Sequence, residues 1–136
     1  MDVYTTPLAH EVIACAIEVH TEVGPGLLES MYQRCLSHEL KLRGLSFEEQ
    51  VPLPLTYKGL AIGIGYRVDF VIENELVIEL KTVEKLLPQH CSQVLTYLRL
   101  LMLPQGFLMN FSAARLADGI KSILNPRATN APTKRN

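Results

Sequence analysis

The spacing of apolar residues along this chain changes at about residue 47, and this change limits the folds that the chain can adopt. Before that point apolar residues recur at helical intervals over 7–23 and 27–42, whereas after it apolar and polar residues alternate as they do in strands. The alternation predicts three strands, at 47–56, 62–72 and 76–81. Because only Glu73-Asn74-Glu75 separates the last two, we expect them to form an antiparallel hairpin.

The second half of the chain continues the mixed pattern. A helix is predicted after Pro88, followed by a short buried strand over 106–111 and a closing helix over 114–124. This order predicts an α/β fold in which helices pack on a small mixed sheet. At 136 residues the chain has the length of one domain. We therefore expect a single domain over 1–124 and a polar, flexible tail over 125–136.

Charge and hydropathy exclude several classes of protein. Thirteen Lys and Arg residues against 14 Asp and Glu give a formal net charge of -1, so no overall positive field attracts nucleic acid or an anionic membrane. The uncharged apolar stretches are too short to span a bilayer, and the first six residues lack the basic start of a secretion signal. We therefore expect a cytoplasmic protein with no membrane contact.

The cysteines offer little support for thiol chemistry. Cys15, Cys35 and Cys91 lie far apart in helical stretches, without Cys or His partners at zinc spacing. A free cysteine in such a stretch is usually a small buried hydrophobic residue. A catalytic Cys with a His partner, such as His20 or His90, remains possible. A small hydrolase that uses Cys91 or a histidine is thus an alternative, and it predicts sensitivity to thiol reagents and indifference to EDTA.

The predicted hairpin brings charged residues together. If the hairpin is centred on Asn74, Asp69 lies directly opposite Glu79 with Cβ atoms about 4.5 to 5.5 Å apart, and Arg67 lies opposite Lys81. Two carboxylates at that separation repel unless a divalent cation or Lys81 neutralises them, and hard oxygen ligands suit Mg²⁺ or Mn²⁺. The opposite face would carry the apolar residues Tyr66, Val68, Phe70, Ile72, Leu76, Ile78 and Leu80.

The same charge pattern also fits a solvated sheet surface or a ladder of cross-strand salt bridges. Val71 and Val77 share the charged face, however, and valines prefer burial. Three long predicted helices could also cover both sides of so small a sheet. Both points favour a cleft over an open surface.

Several segments resemble one protein family in the same order. Asp69 and Glu79-Leu80-Lys81 resemble the Asp…(Asp/Glu)-x-Lys signature of the PD-(D/E)XK nuclease superfamily. The helix start at 26–32, Gly-Leu-Leu-Glu-Ser-Met-Tyr, is similar to the G-x-x-E-x-x-Y element that names the GxxExxY protein family within it. Segments 65–69, 79–84 and 90–98 also look like that family. The resemblance covers about residues 20–124 and implies an αβββαβ nuclease-like core.

The resemblance also implies roles for individual residues. Asp69 and Glu79 would be the principal ligands of Mg²⁺ or Mn²⁺, and Glu29 would help to hold a metal or its water. Lys81 would orient or activate the attacking water, and Gln93 would reach the site or the substrate backbone. The implied activity is metal-dependent hydrolysis of phosphodiester bonds in DNA or RNA by water. The alternative is a nuclease-like fold that binds nucleic acid or protein while its site is unused.

Three more residues are candidate substrate contacts. Tyr32 and Tyr97 lie on the apolar faces of predicted helices, so core packing with a partner for the hydroxyl group explains them equally well. Arg67 could bind a phosphate or pair with Glu29 or Glu79, and we favour the ion pair. Because clustered cations are few, a homodimer or a partner protein could help to hold the nucleic acid.

Overall fold

The computed structural model describes residues 6–130, which form a mixed sheet flanked by helices. The sheet has the order β1-β2-β3-β4-β5, and only its β3–β4 pair is parallel. A 3₁₀ helix, Leu116–Gly119, precedes the last strand. The elements are α1 (Pro7–Val23), α2 (Glu29–Leu42), β1 (Phe47–Tyr57), β2 (Leu60–Ile72), β3 (Leu76–Lys81), α3 (Pro88–Leu101), β4 (Gln105–Asn110), β5 (Ile120–Leu124) and α4 (Pro126–Asn130).

The first two helices are set by local signals. Thr6 caps α1, since its hydroxyl accepts the N–H of Ala9 at 3.1 Å, and Pro7 supplies a first residue that needs no hydrogen bond. Gly24 ends this helix with a φ of 68°, which favours glycine. Leu28 is still extended, so α2 begins at Glu29. None of the helices within residues 6–130 is long and apolar enough to cross a bilayer.

Helices cover both faces of the sheet, as the sequence predicted. Helices α1 and α2 pack on one face against alternate residues of the central strands, such as Ile78 and Phe107. Helix α3 packs on the other face against the residues in between, such as Val77 and Leu108. Val71 is buried with Val77 on the α3 side. The central strands are therefore enclosed on both sides, and the alternative prediction of a solvated sheet surface is wrong.

The predicted closing helix over 114–124 is wrong. Gly119 interrupts this segment and lies so close to the preceding loop that an added Cβ would be 2.8 Å from the carbonyl oxygen of Asn110. The chain then forms β5, which pairs antiparallel with β4 and so supplies hydrogen-bond partners to its outer edge. The apolar spacing of the segment suited a helix, but the unpaired edge of β4 favoured a strand.

The segment expected to be a flexible tail begins with ordered residues. Asn125 is buried, and its amide nitrogen donates to the carbonyl oxygens of Leu98 and Leu103, both at 3.2 Å. The short helix α4 follows over Pro126–Asn130. Residues 131–136 of the predicted tail lie outside the described range.

The expected alternation of side chains in β2 fails near Asp69. Val68 packs on the α3 side and Phe70 on the α1–α2 side, although the two are separated by a single residue. Tyr66 also lies on the α3 side, in contact with a tyrosine of that helix. The neighbouring strand is irregular here, because Gln50 has a φ of 49° and no partner in the β1–β2 ladder. The single apolar face predicted for the hairpin is therefore wrong for Tyr66 and Val68.

One prediction concerns the close approach of β4 to α3. A Cβ added at Gly106 would lie 3.0 Å from Cγ1 of Val94 and 3.1 Å from the carbonyl oxygen of Val77. Gly106→Ala should lower the free energy of unfolding by about 1–3 kcal/mol through overpacking, as measured by urea denaturation. Gly65→Ala is the control, since an added Cβ there meets nothing within 4 Å. Equal losses in the two variants would contradict this account.

Candidate functional site

The predicted register of the β2–β3 hairpin is confirmed where the two strands pair. Phe70 lies opposite Ile78 and Val71 opposite Val77, and the ladder does not continue to Asp69 and Glu79. Instead, Oδ2 of Asp69 accepts the backbone N–H of Leu80 at 2.8 Å. The direct cross-strand pairs predicted for Asp69 with Glu79 and for Arg67 with Lys81 therefore do not form. The hydrogen bond from the backbone of Leu80 to the side chain of Asp69 takes their place.

Asp69 and Glu79 form a buried carboxyl pair. They are 8% and 5% exposed, respectively. Burial raises the pKa of Asp69, while its hydrogen bonds from Leu80 and Gln50 act in the opposite direction. Burial, followed by the charge of Asp69, raises the pKa of Glu79 to about 8. Without a cation the pair therefore retains a proton near neutral pH.

Lys81 offsets only part of the rise in the pKa of Glu79. Its Nζ lies 3.5 Å from Oε2 of Glu79 and lowers the pKa of that carboxyl group, but burial and Asp69 outweigh it. The other oxygen, Oε1 of Glu79, is buried and has no hydrogen-bond partner among the described residues. An unpaired buried carboxyl oxygen is costly, and a hard cation would satisfy it. The pair and its unsatisfied oxygen therefore fit a divalent metal ion.

Glu29 lies beside this pair at the first position of α2. Burial raises its pKa, Asp69 raises it further, and Lys81 lowers it, so its carboxyl group is within electrostatic reach of Asp69 and Lys81. Within residues 6–130, however, no three His, Cys, Asp or Glu side chains are grouped closely enough to hold a metal ion. The expected three-carboxylate group is therefore not formed. Two carboxylates remain sufficient, because Mg²⁺ commonly binds one or two and keeps several waters.

Tyr32 has a structural role, and its predicted substrate contact is wrong. Its side chain is fully buried and stacks on the ring of Phe111 at a centroid distance of 4.6 Å. Its hydroxyl donates to the carbonyl oxygen of Gly24 and accepts the N–H of Leu27 at 3.1 Å. Tyr32 thus holds the loop that leads into Glu29, as the core-packing alternative expected.

Gln93 and Tyr97 come to the site together on α3. The amide nitrogen of Gln93 donates to the hydroxyl oxygen of Tyr97 at 2.6 Å. Burial and then the charge of Glu79 raise the pKa of Tyr97, which places this hydroxyl near the carboxyl pair. Tyr97 is almost completely buried, so it too is a core residue and offers no surface to a substrate. The contact predicted between Gln93 and the substrate backbone stays a prediction.

Arg67 forms neither of the expected ion pairs. Its side chain is exposed, and it makes no salt bridge with any residue of the described range. The favoured pairing with Glu29 or Glu79 is therefore wrong, because the irregularity of β2 near Asp69 removes the regular alternation on which it depended. Binding of a phosphate by Arg67 stays a prediction.

A set of polar residues around Asp69 escaped the sequence analysis. Gln50 donates from Nε2 to Oδ1 of Asp69 at 3.1 Å. Gln33, on α2, donates to the carbonyl oxygen of Asp69 at 3.3 Å and to Glu49 at 3.0 Å, and Ser37 donates to Glu49 at 2.8 Å. These bonds join β1 to the carboxylate of Asp69 and α2 to its backbone carbonyl group. The polar run at 48–50 was a signal, since it interrupts the alternation of β1.

Asn110 positions the chain that follows Lys81. Its Oδ1 accepts the N–H of Val83 at 3.1 Å, and its Nδ2 donates to the carbonyl oxygen of Val83 at 2.8 Å. The N–H of Phe111 also donates to the carbonyl oxygen of Lys81 at 2.8 Å. The end of β3 is therefore held by β4 and the loop after it, and no sequence pattern signalled this role for Asn110.

The histidines proposed as partners of a catalytic cysteine have other contacts. Nδ1 of His90 accepts the N–H of Leu87 at 2.9 Å at the start of α3, and Nε2 of His20 hydrogen-bonds the carbonyl oxygen of Phe111 at 3.2 Å. Neither ring is hydrogen-bonded to Cys91 in the described part of the chain. Burial also raises the pKa of Cys15 to about 11, so its thiol is a poor nucleophile near neutral pH. A thiol hydrolase is not supported.

The architecture and the site define a nuclease-like domain. It has a mixed sheet flanked by helices, with a buried aspartate on one strand and a Glu-x-Lys pair on the next. A family model described as the PD-(D/E)XK nuclease superfamily matches residues 6–123, and the chain belongs to this superfamily. Searches of curated proteins and of solved structures gave no match. The narrower resemblance to the GxxExxY family stays a prediction.

The raised pKa of Glu79 predicts a pH-dependent stability in metal-free buffer. Between its ordinary value of 4.5 and about 8, the folded state keeps a proton that the unfolded state releases, so the free energy of unfolding should fall as pH rises. The contribution of Glu79 to this slope should not exceed about 1.4 kcal/mol per pH unit. Urea denaturation in EDTA would measure it. Glu79→Gln should flatten the dependence, and parallel profiles for the two proteins would refute the assignment.

A second prediction concerns Gln50, which stabilises the ionised form of Asp69. Gln50→Ala removes that hydrogen bond, so the pKa of Asp69 should rise in the metal-free protein. Carboxyl-carbon NMR titration would follow Asp69 directly. Gln89→Ala, at an exposed glutamine of α3, is the control and should leave the titration unchanged. A titration unaffected by Gln50→Ala would remove Gln50 from the site.

Proposed function

We propose that the protein is a metal-dependent nuclease that hydrolyses phosphodiester bonds of DNA or RNA with Mg²⁺ or Mn²⁺. The observation that carries this proposal is the carboxyl pair of Asp69 and Glu79, which is buried although one oxygen of Glu79 is unsatisfied. Two acids held in this way destabilise the metal-free protein unless a proton or a cation neutralises them. A pair retained at such a cost supports a catalytic role over an unused site.

Asp69 and Glu79 would hold the ion. When bound, a divalent metal supplies a nucleophile near neutral pH and neutralises charge on the phosphate in the transition state. Asp69 is suited to holding it, because Leu80 and Gln50 fix both of its oxygens and favour its ionised form. Glu79 would give up the proton it retains in the metal-free state, so binding should be stronger at higher pH.

Lys81 and Glu29 would act on either side of the pair. The ammonium group of Lys81 is held near Glu79, where it can stabilise negative charge that develops on the phosphate. Glu29 is exposed at the rim and its pKa is raised, so its carboxyl group can accept or donate a hydrogen bond to the attacking water. Gln93, held by Tyr97, would contact the substrate backbone.

The alternative is a nuclease-like module that binds nucleic acid or a partner protein and performs no hydrolysis. Its support is the charge of the chain, which is -1 overall and includes few cations near the carboxyl pair. A homodimer or a partner could supply the missing positive surface. Catalysis distinguishes the two proposals, because only the enzyme needs Asp69 and Glu79 for turnover.

Cleavage of end-labelled DNA and RNA would test the proposed function, with Mg²⁺, Mn²⁺ or EDTA in parallel. Asp69→Asn and Glu79→Gln should each lower the rate by about 100-fold or more. Asn at position 69 keeps an acceptor for the N–H of Leu80, which Ala would leave unpaired. Lys81→Ala should depress turnover more than it weakens metal binding measured by calorimetry.

Glu75→Gln is the matched control for these variants, because Glu75 is an exposed acid in the turn of the same hairpin. It should cleave at the wild-type rate. Equal rates for the wild type and the Asp69 and Glu79 variants, or cleavage that persists in EDTA, would overturn the nuclease proposal.

A further inference from the structure

The β1–β2 hairpin extends beyond the rest of the sheet, and the site described above does not use this extension. We call residues 54–67 the arm. Strand β3 pairs with β2 only over 70–72, so no third strand from residues 6–130 adjoins the arm. Every residue from 56 to 67 is exposed, including Tyr57 at 61%, Leu60 at 63% and Tyr66 at 38%. A pair of strands without a hydrophobic core of its own is only marginally stable in water. Exposed aromatic rings on such a pair indicate a role in binding.

The charge of the arm differs from that of the whole chain. Residues 54–67 contain Lys58 and Arg67 and no acidic residue, whereas the chain has 14 acids. Lys58 lies at the tip, with its Nζ 5.4 Å from the centroid of the Tyr57 ring. Arg67 lies at the base and forms no salt bridge within the described residues. Exposed rings beside unpaired cations match a ligand that carries both planar groups and negative charge.

The arm is continuous with the carboxyl pair. Strand β2 runs from Tyr66 to Asp69 in three residues, a distance of about 10 Å at the usual rise of a strand. The ring of Tyr66 packs edge-on against Tyr97 at a centroid distance of 5.6 Å, and Tyr97 lies close enough to Glu79 for that charge to affect it. A ligand lying along the arm would therefore reach the site within a few nucleotides.

We propose that the arm binds single-stranded nucleic acid, with unpaired bases stacked on Tyr57 and Tyr66 and phosphates on Lys58 and Arg67. This inference rests on the proposed nuclease function and narrows its substrate to unpaired strands or frayed ends. Bases inside a duplex cannot stack on a protein ring, and duplex binding depends on many phosphate contacts. Because the arm carries two cations, it can make few phosphate contacts, and it therefore suits a single strand better than a duplex.

A second copy of the chain is the competing occupant of this surface, since Leu60, Ile62 and Ile64 are exposed and apolar. The edge of the arm argues against pairing by strand addition. Pro52 and Pro54 lie in β1, the edge strand of the sheet, and proline offers no N–H to an added strand. Self-association through the arm is therefore an outcome that the experiment must be able to detect.

Fluorescence anisotropy in EDTA would measure binding without cleavage. The probes are labelled single-stranded DNA and RNA of one mixed sequence, and the duplex of the same DNA. Wild type should bind the single strands more tightly than the duplex. Tyr57→Ala should weaken single-strand binding about tenfold, because stacking on one ring is lost, whereas Tyr57→Phe should keep it. Lys58→Gln should weaken binding and reduce its salt dependence.

Leu42→Ala is the control, since Leu42 is as exposed as Tyr57 but lies at the end of α2. It should bind as the wild type does. Unchanged affinity in Tyr57→Ala, or tighter binding of the duplex, would overturn the proposal. So would light scattering that shows a dimer dissociated by Ile62→Ser, with oligonucleotide affinity unchanged.

The two proposals fail in different ways. If Asp69→Asn abolishes cleavage and Tyr57→Ala leaves single-strand affinity unchanged, the proposed nuclease activity is supported and the proposed binding of single strands by the arm is refuted. If Tyr57→Ala weakens binding and the wild type cleaves nothing with Mg²⁺ or Mn²⁺, the proposed binding by the arm is supported and the proposed nuclease activity is refuted.

Discussion

The hydrogen bond from the backbone N–H of Leu80 to the carboxylate of Asp69 is the interaction on which the site depends. It forms where the β2–β3 ladder ends, so a side chain takes over a position that a backbone carbonyl would otherwise fill. The same bond favours the ionised form of Asp69, whereas burial raises the pKa of that carboxyl group. The end of a strand pair and the centre of the site are therefore one structural feature.

This arrangement works against the stability of the metal-free protein. Two buried acids cannot both ionise cheaply, and among the described residues Lys81 forms a salt bridge with Glu79 alone. The pKa of Glu79 rises to about 8 as a result, and one of its oxygens has no hydrogen-bond partner within residues 6–130. A divalent cation would relieve both costs at once. The metal binding proposed for the pair and its instability without a metal would therefore have the same physical origin.

Burial separates the tyrosines that hold the site from those that are exposed to solvent. Tyr32 and Tyr97 were expected to contact substrate, yet both are buried and act through hydroxyl contacts inside the domain. Exposed rings occur instead on the arm, at Tyr57 and Tyr66. Aromatic residues on an apolar helix face are usually core, and only burial distinguishes them from a binding surface.

The sequence alone determined the order of most elements and the strands that carry Asp69, Glu79 and Lys81, because periodicity is a local property and the hairpin turn sets the nearby register. Only the tertiary structure decided that 120–124 forms a strand, since the partner is the edge of β4. It also decided that Gln50 and Gln33 hold Asp69. Those contacts join residues distant in the chain. The polar run at 48–50 marks the irregularity in β1, but no local pattern specifies which residues it contacts.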